Sequence, residues 1–237
     1  MSDKHLDGYT IVFDLDGTLV ETAPDLISST NHVLGLAGLG AIEPALIRPF
    51  ISFGARSMIR EGLRLHGRAM ADMEIDVIHG TFIAHYTDNI AALSHPYPGL
   101  TGALDRLAAS GAQFAVCTNK TEVLARKLLE QLGLMGRFKA LAGYDTFPVF
   151  KPHPDHLLGT IRLAGGEAGR AIMVDDSETD IKTAQAAGTP VIGVTFGYTD
   201  EPVATFGPDV VIDHFDALNA AVRQILGSAK PPIAKSP

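Results

Sequence analysis

The sequence predicts an α/β fold, a parallel-sheet core interrupted by an all-helical insert. Three observations carry that expectation. An apolar, β-rich run over residues 9–13 ends in two aspartates spaced i, i+2. The stretch after it, over residues 21–92, reads as helix throughout, with no strand pattern. From Gly99 onward strands alternate with helices, the order that a parallel sheet with covering helices requires.

Taken in order, the first strand covers residues 9–13. Side chains two apart in a strand share one side, so Asp14 and Asp16 leave its end together. Gly17 then lets the backbone turn sharply and approach a ligand closely. Thr22 reads as an N-cap, with Pro24 in the first turn and Asp25 at the capping-box position in place of Glu or Gln. Leu26, Ile27, Val33 and Leu34 give that helix its apolar stripe, and the glycines at 35, 38 and 40 end it. A short piece follows at 45–50, then a helix over 54–66 and another over 70–90. The last of these counts Met73, Val77, Phe82 and Ile83 among its apolar positions. The segment Ser94-His95-Pro96-Tyr97-Pro98-Gly99 is a rigid, non-helical return path.

Beyond it, helices are predicted over 100–110, 121–132, 154–164, 178–187 and 215–226, and strands over 113–117, 171–174, 190–196 and 210–212. The division is therefore a Rossmann-like core over 1–20 and 93–227, a helical cap over 21–92, and a tail over 228–237. Pro, Lys and Ser dominate that tail, which is expected to be disordered.

Composition narrows the classes of function. With 46% hydrophobic and 19% charged residues the chain has the balance of a globular protein. Its net charge of −8 argues against nucleic acid or an anionic membrane as partner, and local cations must meet any anionic substrate. The single cysteine, Cys117, sits in an apolar run and reads as a small buried hydrophobe. The N-terminal residues form no apolar signal region, and no apolar run is long enough to cross a bilayer, so a cytoplasmic location is expected. The nine histidines show no H-E-x-x-H or paired zinc spacing, and no G-x-x-x-x-G-K-[ST] loop is present. Zinc hydrolase and P-loop ATPase readings fall away.

Four polar clusters stand where strands end. The first is Asp14 and Asp16. Two adjacent anions repel, so the pair asks for a cation or a shared proton, and a hard divalent ion with oxygen ligands, Mg²⁺, answers both needs. The second is Thr118-Asn119, a hydroxyl and an amide before a helix N-terminus, a place that suits a phosphate. The third is Lys151-Pro152-His153-Pro154, in which prolines fix the loop and Lys151 supplies a cation. The fourth runs from Val174 through Asp175, Asp176 and Ser177 to Asp180. Each has a bland reading as a polar turn, an ordinary loop, a solvated lysine or a capped helix start. Parallel strands end at one edge, however, so the four loops converge there. Carboxylates, one lysine and a phosphate-type loop around one crevice suit Mg²⁺-assisted phosphoryl transfer better than they suit stability.

Together the runs Phe13-Asp14-Leu15-Asp16-Gly17-Thr18-Leu19-Val20, Thr118-Asn119-Lys120, Asp145-Thr146-Phe147-Pro148, Lys151-Pro152-His153-Pro154-Asp155 and Gly193-Val194-Thr195-Phe196-Gly197-Tyr198 carry a resemblance that covers nearly the whole chain. It resembles the haloacid dehalogenase-like hydrolase superfamily, in its phosphoglycolate phosphatase-like branch with a helical cap. Two positions depart from that pattern: Asp175 stands where glycine is usual, and Glu21 where aspartate is common. The resemblance implies that Asp14 is the nucleophile, that Asp16 protonates the leaving alcohol and then activates water, and that Lys151 neutralises the phosphoryl group. It implies Mg²⁺ held by Asp14, the Asp16 carbonyl and Asp176, with Thr118, Asn119 and Gly17 around the phosphoryl oxygens. Asp180 is expected to orient Lys151 or a metal-bound water, and the extra acid at Asp175 either to tune the metal or to crowd the site.

Arg56, Arg60 and Arg64 share one helix face, and Arg56 follows a Ser52-Phe53-Gly54 turn from which it could meet a substrate carboxylate. The expected partner is a small phosphorylated metabolite, best 2-phosphoglycolate, for a monomer or homodimer. A sugar phosphate or pyrophosphate as substrate, and a non-catalytic binding module on the same fold, are the alternatives.

Overall fold

The computed structural model describes residues 5–228. Strand β1 (Thr10–Phe13) is followed by the short β2 (Val20–Glu21), four helices, α1 (Ala23–Leu36), α2 (Pro44–Ile47), α3 (Ala55–Leu65) and α4 (Asp72–Asp88), and the short β3 (His95–Pro96). Then come α5 (Leu100–Ala109), β4 (Gln113–Cys117), α6 (Glu122–Gln131), β5 (Ala140–Ala142), α7 (Pro154–Leu163), β6 (Ala171–Asp175), α8 (Glu178–Ala187), β7 (Val191–Val194), β8 (Val210–Ile212) and α9 (Leu218–Ser228). Six strands make one sheet in the order β5-β4-β1-β6-β7-β8, and all its pairs are parallel.

β1 lies at the centre, and its Thr-Ile-Val-Phe run is buried along its whole length. A strand covered on both faces reads as a continuous apolar run, not an alternating one. Its register sets Phe13 against Val116 of β4 and Val174 of β6. One step further along, Asp14, Cys117 and Asp175 leave the sheet at the same level. The antiparallel pair β2–β3 is where the chain departs from the core and returns to it.

Helices α1, α3 and α4 pack on one another. Their buried side chains, among them Leu34, Met58 and Phe82, join a single apolar cluster with Phe13 and Phe114 from the sheet. The other face of the sheet has its own cluster, built on Val12, Met173, Leu157 and Ile181.

Several expectations need correction. Thr22 caps α1 without a side-chain bond; its N–H donates to the Tyr198 hydroxyl at 2.6 Å. Asp25 forms no capping box. Its buried carboxylate instead accepts from the Leu93 and Ser94 amides and the Ser94 hydroxyl, tying α1 to the returning chain. On α4 the inward face is Ile75, Phe82 and Tyr86, while Met73 and Val77 are 82% and 73% exposed. Two residues along a helix is a turn of about 200°, so a register error of two inverts the face. β5 was not expected at all: Ala140-Leu141-Ala142 is short and lacks the β-branched and aromatic residues that mark strands. α9 runs on to Ser228, and the rest of the tail expected to be disordered, like residues 1–4, lies outside the described residues.

Candidate active site

The loops after β1, β4 and β6 and the segment before α7 meet at the C-terminal edge of the sheet. Lys151, 3% exposed, reaches into this edge and donates to Asp14 Oδ1 at 2.7 Å. Asp180 pairs with the same ammonium, and Asp175 Oδ2 lies 3.7 Å from it. Asp14, Asp175 and Asp180 bring carboxylate oxygens within 4.8 Å of one another, a grouping that could hold a metal ion. The ammonium in their midst already serves as their cation. Burial works against its charge, but Asp14, Asp180 and Asp175 outweigh that and hold Lys151 well above the ordinary lysine range. Burial raises the Asp14 carboxyl and Lys151 draws it back, leaving it at about 6. Asp175 is pushed well above the usual carboxylate range by burial and by Asp180. Its Oδ1 accepts from the Asp176 and Ser177 amides, so this side chain shapes the turn before α8.

Asp176 has no such cation. Its oxygens accept from the Thr18 hydroxyl at 2.9 Å and the Tyr198 amide at 2.8 Å, and burial with Asp14 nearby pushes its carboxyl up to about 7. Two glycines make room for it. Gly17 has φ +90°, and a Cβ there would come within 2.7 Å of Asp176 Oδ2. A Cβ on Gly197 would collide with the same carboxylate. Asp176 is therefore a buried acid in want of positive charge, and Asp14 beside it has one oxygen that Lys151 does not hold. That fits a divalent ion such as Mg²⁺ held by Asp14, Asp176 and the Asp16 carbonyl, and does not fit the trio around Lys151.

The second acid of the first cluster has a lysine of its own. Lys120 Nζ donates to both oxygens of Asp16 at 2.9 Å and lies 4.7 Å from the centre of the Tyr86 ring on α4. Asp16 beside it outweighs burial and keeps its charge firmly in place.

The remaining expected residues divide. Thr118 is buried at the end of β4, and its hydroxyl oxygen accepts from the Lys120 amide at 3.2 Å, leaving the hydroxyl proton for a ligand. Asn119 lines the cavity, and its side chain is anchored to the Lys151 backbone. Its amide donates to the Lys151 carbonyl at 3.0 Å and its oxygen accepts from the Lys151 N–H at 3.2 Å, so it positions the lysine. Arg56 is not brought to the site. It is half exposed and pairs with Asp76 on α4. Arg60 pairs with Asp72 and Arg64 with Glu61, so the arginine row is a solvated, salt-bridged face.

Over the crevice lies a cavity of about 390 Å³. Its floor is Asp14, Asp16, Thr118, Lys120, Lys151 and Asp176; its opposite wall includes Phe53, Met58, His79, Phe82, Ile83 and Tyr86 from the helical insert.

The chain is similar in sequence and fold to known proteins. The sequence profile of the haloacid dehalogenase-like hydrolases matches residues 11–194. The chain belongs to that family. It is 50% identical to the phosphoglycolate phosphatase of Mesorhizobium japonicum over 91% of this chain and 95% of that one. To the phosphoglycolate phosphatase of Agrobacterium fabrum it is 48% identical, over 92% and 93%. Among solved structures it resembles that of a predicted phosphoglycolate phosphatase from Haemophilus somnus 129pt, with TM-score 0.83 and 29% identity over 92% of this chain and 98% of that one.

Within this haloacid dehalogenase-like frame, sequence reasoning missed Lys120 as a site residue, together with Thr18, Gly197 and Tyr198 around Asp176. Lys120 directly follows the expected Thr118-Asn119 pair, and a lysine in an acidic chain at a converging strand end is signal enough to include it. Tyr198 lies 22 residues beyond Asp176, and only the fold joins them.

Proposed function

We propose that this haloacid dehalogenase-like protein is a Mg²⁺-dependent phosphatase that converts 2-phosphoglycolate to glycolate. The helical segment over 21–92 acts as a cap on a catalytic core over 1–20 and 93–227. The carrying observation is the pair Asp14 and Asp16, each beside its own lysine, beneath a cavity walled by the helices. The names of the relatives support the substrate. A non-catalytic binding module gives no reason to bury three acids around one lysine, with a fourth, Asp176, beside them.

In this reading the Asp14 oxygen not held by Lys151 attacks phosphorus, and the P–O bond to glycolate breaks. The ester oxygen leaves with a proton from Asp16, and an aspartyl phosphate forms on Asp14. Asp16 then takes a proton from a water that attacks the same phosphorus and frees Asp14 and inorganic phosphate. Lys151 stands against the phosphoryl oxygens throughout, and the Thr118 hydroxyl donates to one of them. When bound by Asp14, Asp176 and the Asp16 carbonyl, Mg²⁺ supplies charge neutralisation for the transferring group. Asp180 holds Lys151, as does Asn119 from behind. The cap encloses the reaction and shields it from water. No described helix is long and apolar enough to cross a membrane, and the reading places the protein in the cytoplasm, acting on a dissolved metabolite.

The test is phosphate release from a panel of 2-phosphoglycolate, sugar phosphates and pyrophosphate, with Mg²⁺ and with chelator. Highest kcat/KM on phosphoglycolate, lost with chelator, is expected. Higher kcat/KM on a sugar phosphate or pyrophosphate contradicts the substrate.

A further inference from the structure

We infer that Lys120 of the core and Tyr86 of the cap together form the subsite for the substrate's carboxylate, an inference that rests on the phosphoglycolate reading above. Phosphoglycolate brings two anions into the cavity. Among the described residues, two ammonium groups line it, Lys151 and Lys120. Lys151 is enclosed by Asp14, Asp175 and Asp180 and belongs to the phosphoryl end. Lys120 faces a single carboxylate, that of Asp16. An ammonium has three protons to donate, and Asp16 engages at most two of them.

The chemistry of the substrate fixes where its carboxylate falls. In phosphoglycolate one methylene separates the ester oxygen from the carboxylate carbon. When the ester oxygen lies against Asp16, as protonation requires, the carboxylate lies beside whatever else flanks Asp16. On the core side that is the Lys120 ammonium.

On the cap side it is Tyr86. This residue is 1% exposed and lines the cavity; the Lys120 ammonium lies by its hydroxyl oxygen, and no acceptor meets the hydroxyl proton. Buried hydroxyls almost always find an acceptor for their proton, and no surrounding side chain supplies one here. A substrate carboxylate supplies one. Elsewhere on the wall Met58, Phe82, Ile83 and Leu124 carry no charge, and burial with Arg56 nearby holds the His79 imidazole below its ordinary range. Arg56 is held outside by Asp76. The subsite thus draws one group from each side of the cavity, so a carboxylate substrate is gripped only where cap and core meet.

The experiment compares kcat/KM on phosphoglycolate and on 2-hydroxyethyl phosphate, in which a neutral hydroxymethyl group replaces the carboxylate. In the unsubstituted protein phosphoglycolate is preferred. Lys120→Met lowers the preference ratio by about a hundredfold, the scale of a charge-assisted contact in a closed site. Tyr86→Phe lowers it by about tenfold, through KM, while the melting temperature changes little, because the lost hydroxyl is a buried donor without an acceptor. Lys120→Arg restores part of the ratio. Tyr86→Phe keeps the ring under Lys120 and carries the test alone should Lys120→Met fail to fold. A ratio unchanged in Tyr86→Phe or Lys120→Met, including equal losses on both esters, overturns the subsite. Absence of any preference in the unsubstituted protein is a different failure, that of the substrate reading itself.

Discussion

On the sheet side of the cavity Asp14, Asp175, Asp176, Asp180 and Lys151 are each no more than 7% exposed, and each touches another charged group or a hydroxyl or amide aimed at it. On the helical side Met58, Phe82 and Ile83 face the same space with plain apolar surface. Burying like charges together is costly, and the sheet side is tolerable only because every member is held by its neighbours. The helical side has no such interdependence. Chemistry is therefore locked into the sheet edge, while selection of the leaving alcohol lies with the wall and with Lys120, the charged residue whose ammonium lies over a ring of the wall.

The sharpest way to break this contrast is at the sheet edge. Asp14→Asn should lower kcat by at least about four orders of magnitude with little change in KM, since the nucleophile acts only in the chemical step. A kcat within about tenfold of normal would end the covalent reading. Lys151→Met comes next. It should cost about 3–5 kcal/mol of stability, because Asp14, Asp175 and Asp180 lose their shared cation. Thermal unfolding should show the loss shrinking as the pH falls and Asp14 and Asp175 take up protons.

The metal gives a graded test. Asp14 and Asp176 hold their protons up to about 6 and about 7 in the folded, metal-free protein, above the 3.8 of a free side chain. Between those values the folded state binds more protons than the unfolded one, so these two groups remove stability as the pH rises through that window. A divalent ion competes with the same protons. Apparent Mg²⁺ affinity should rise as the pH climbs through 6 to 7 and then level off, and the gain in melting temperature on adding Mg²⁺ should be larger at about pH 8 than at about pH 5. Equal gains at both would remove Asp14 and Asp176 from the metal site.

The smallest effect is expected from the cap's outer face. Arg56→Ala should change KM for phosphoglycolate by less than about twofold and stability by less than about 0.5 kcal/mol, because its pair with Asp76 is exposed. A rise in KM of about tenfold would restore Arg56 as the carboxylate contact.

These contrasts follow how the sequence could be read. The sheet edge was legible because its chemistry sits in short runs at strand ends: Asp14-Leu15-Asp16-Gly17, Lys151-Pro152 and Asp175-Asp176 keep their neighbours in the chain. The helical insert was legible as helix but not as surface. Arg56 has the right charge and the right preceding turn, yet its direction is decided by Asp76, some 20 residues away on another helix. Tyr86 gave no signal, since a tyrosine in an apolar helix looks like core until its hydroxyl proton is found without an acceptor. The bonds that anchor Asn119 to the Lys151 backbone, 32 residues along the chain, leave no trace in the sequence. β2 and β3, two residues each, are too short for any periodicity.

The central claim, that the sheet edge performs covalent phosphoryl transfer on Asp14, is tested most directly by looking for the phosphate on the protein. p-Nitrophenyl phosphate has a leaving group that needs no proton, so Asp16→Asn should still be phosphorylated but should lack the group that activates water. Mixed with radiophosphorus-labelled p-nitrophenyl phosphate and Mg²⁺ and quenched in acid, this variant should retain label that hydroxylamine releases and that peptide mapping assigns to Asp14. Label on any other residue, or none while nitrophenol is still released, would contradict it.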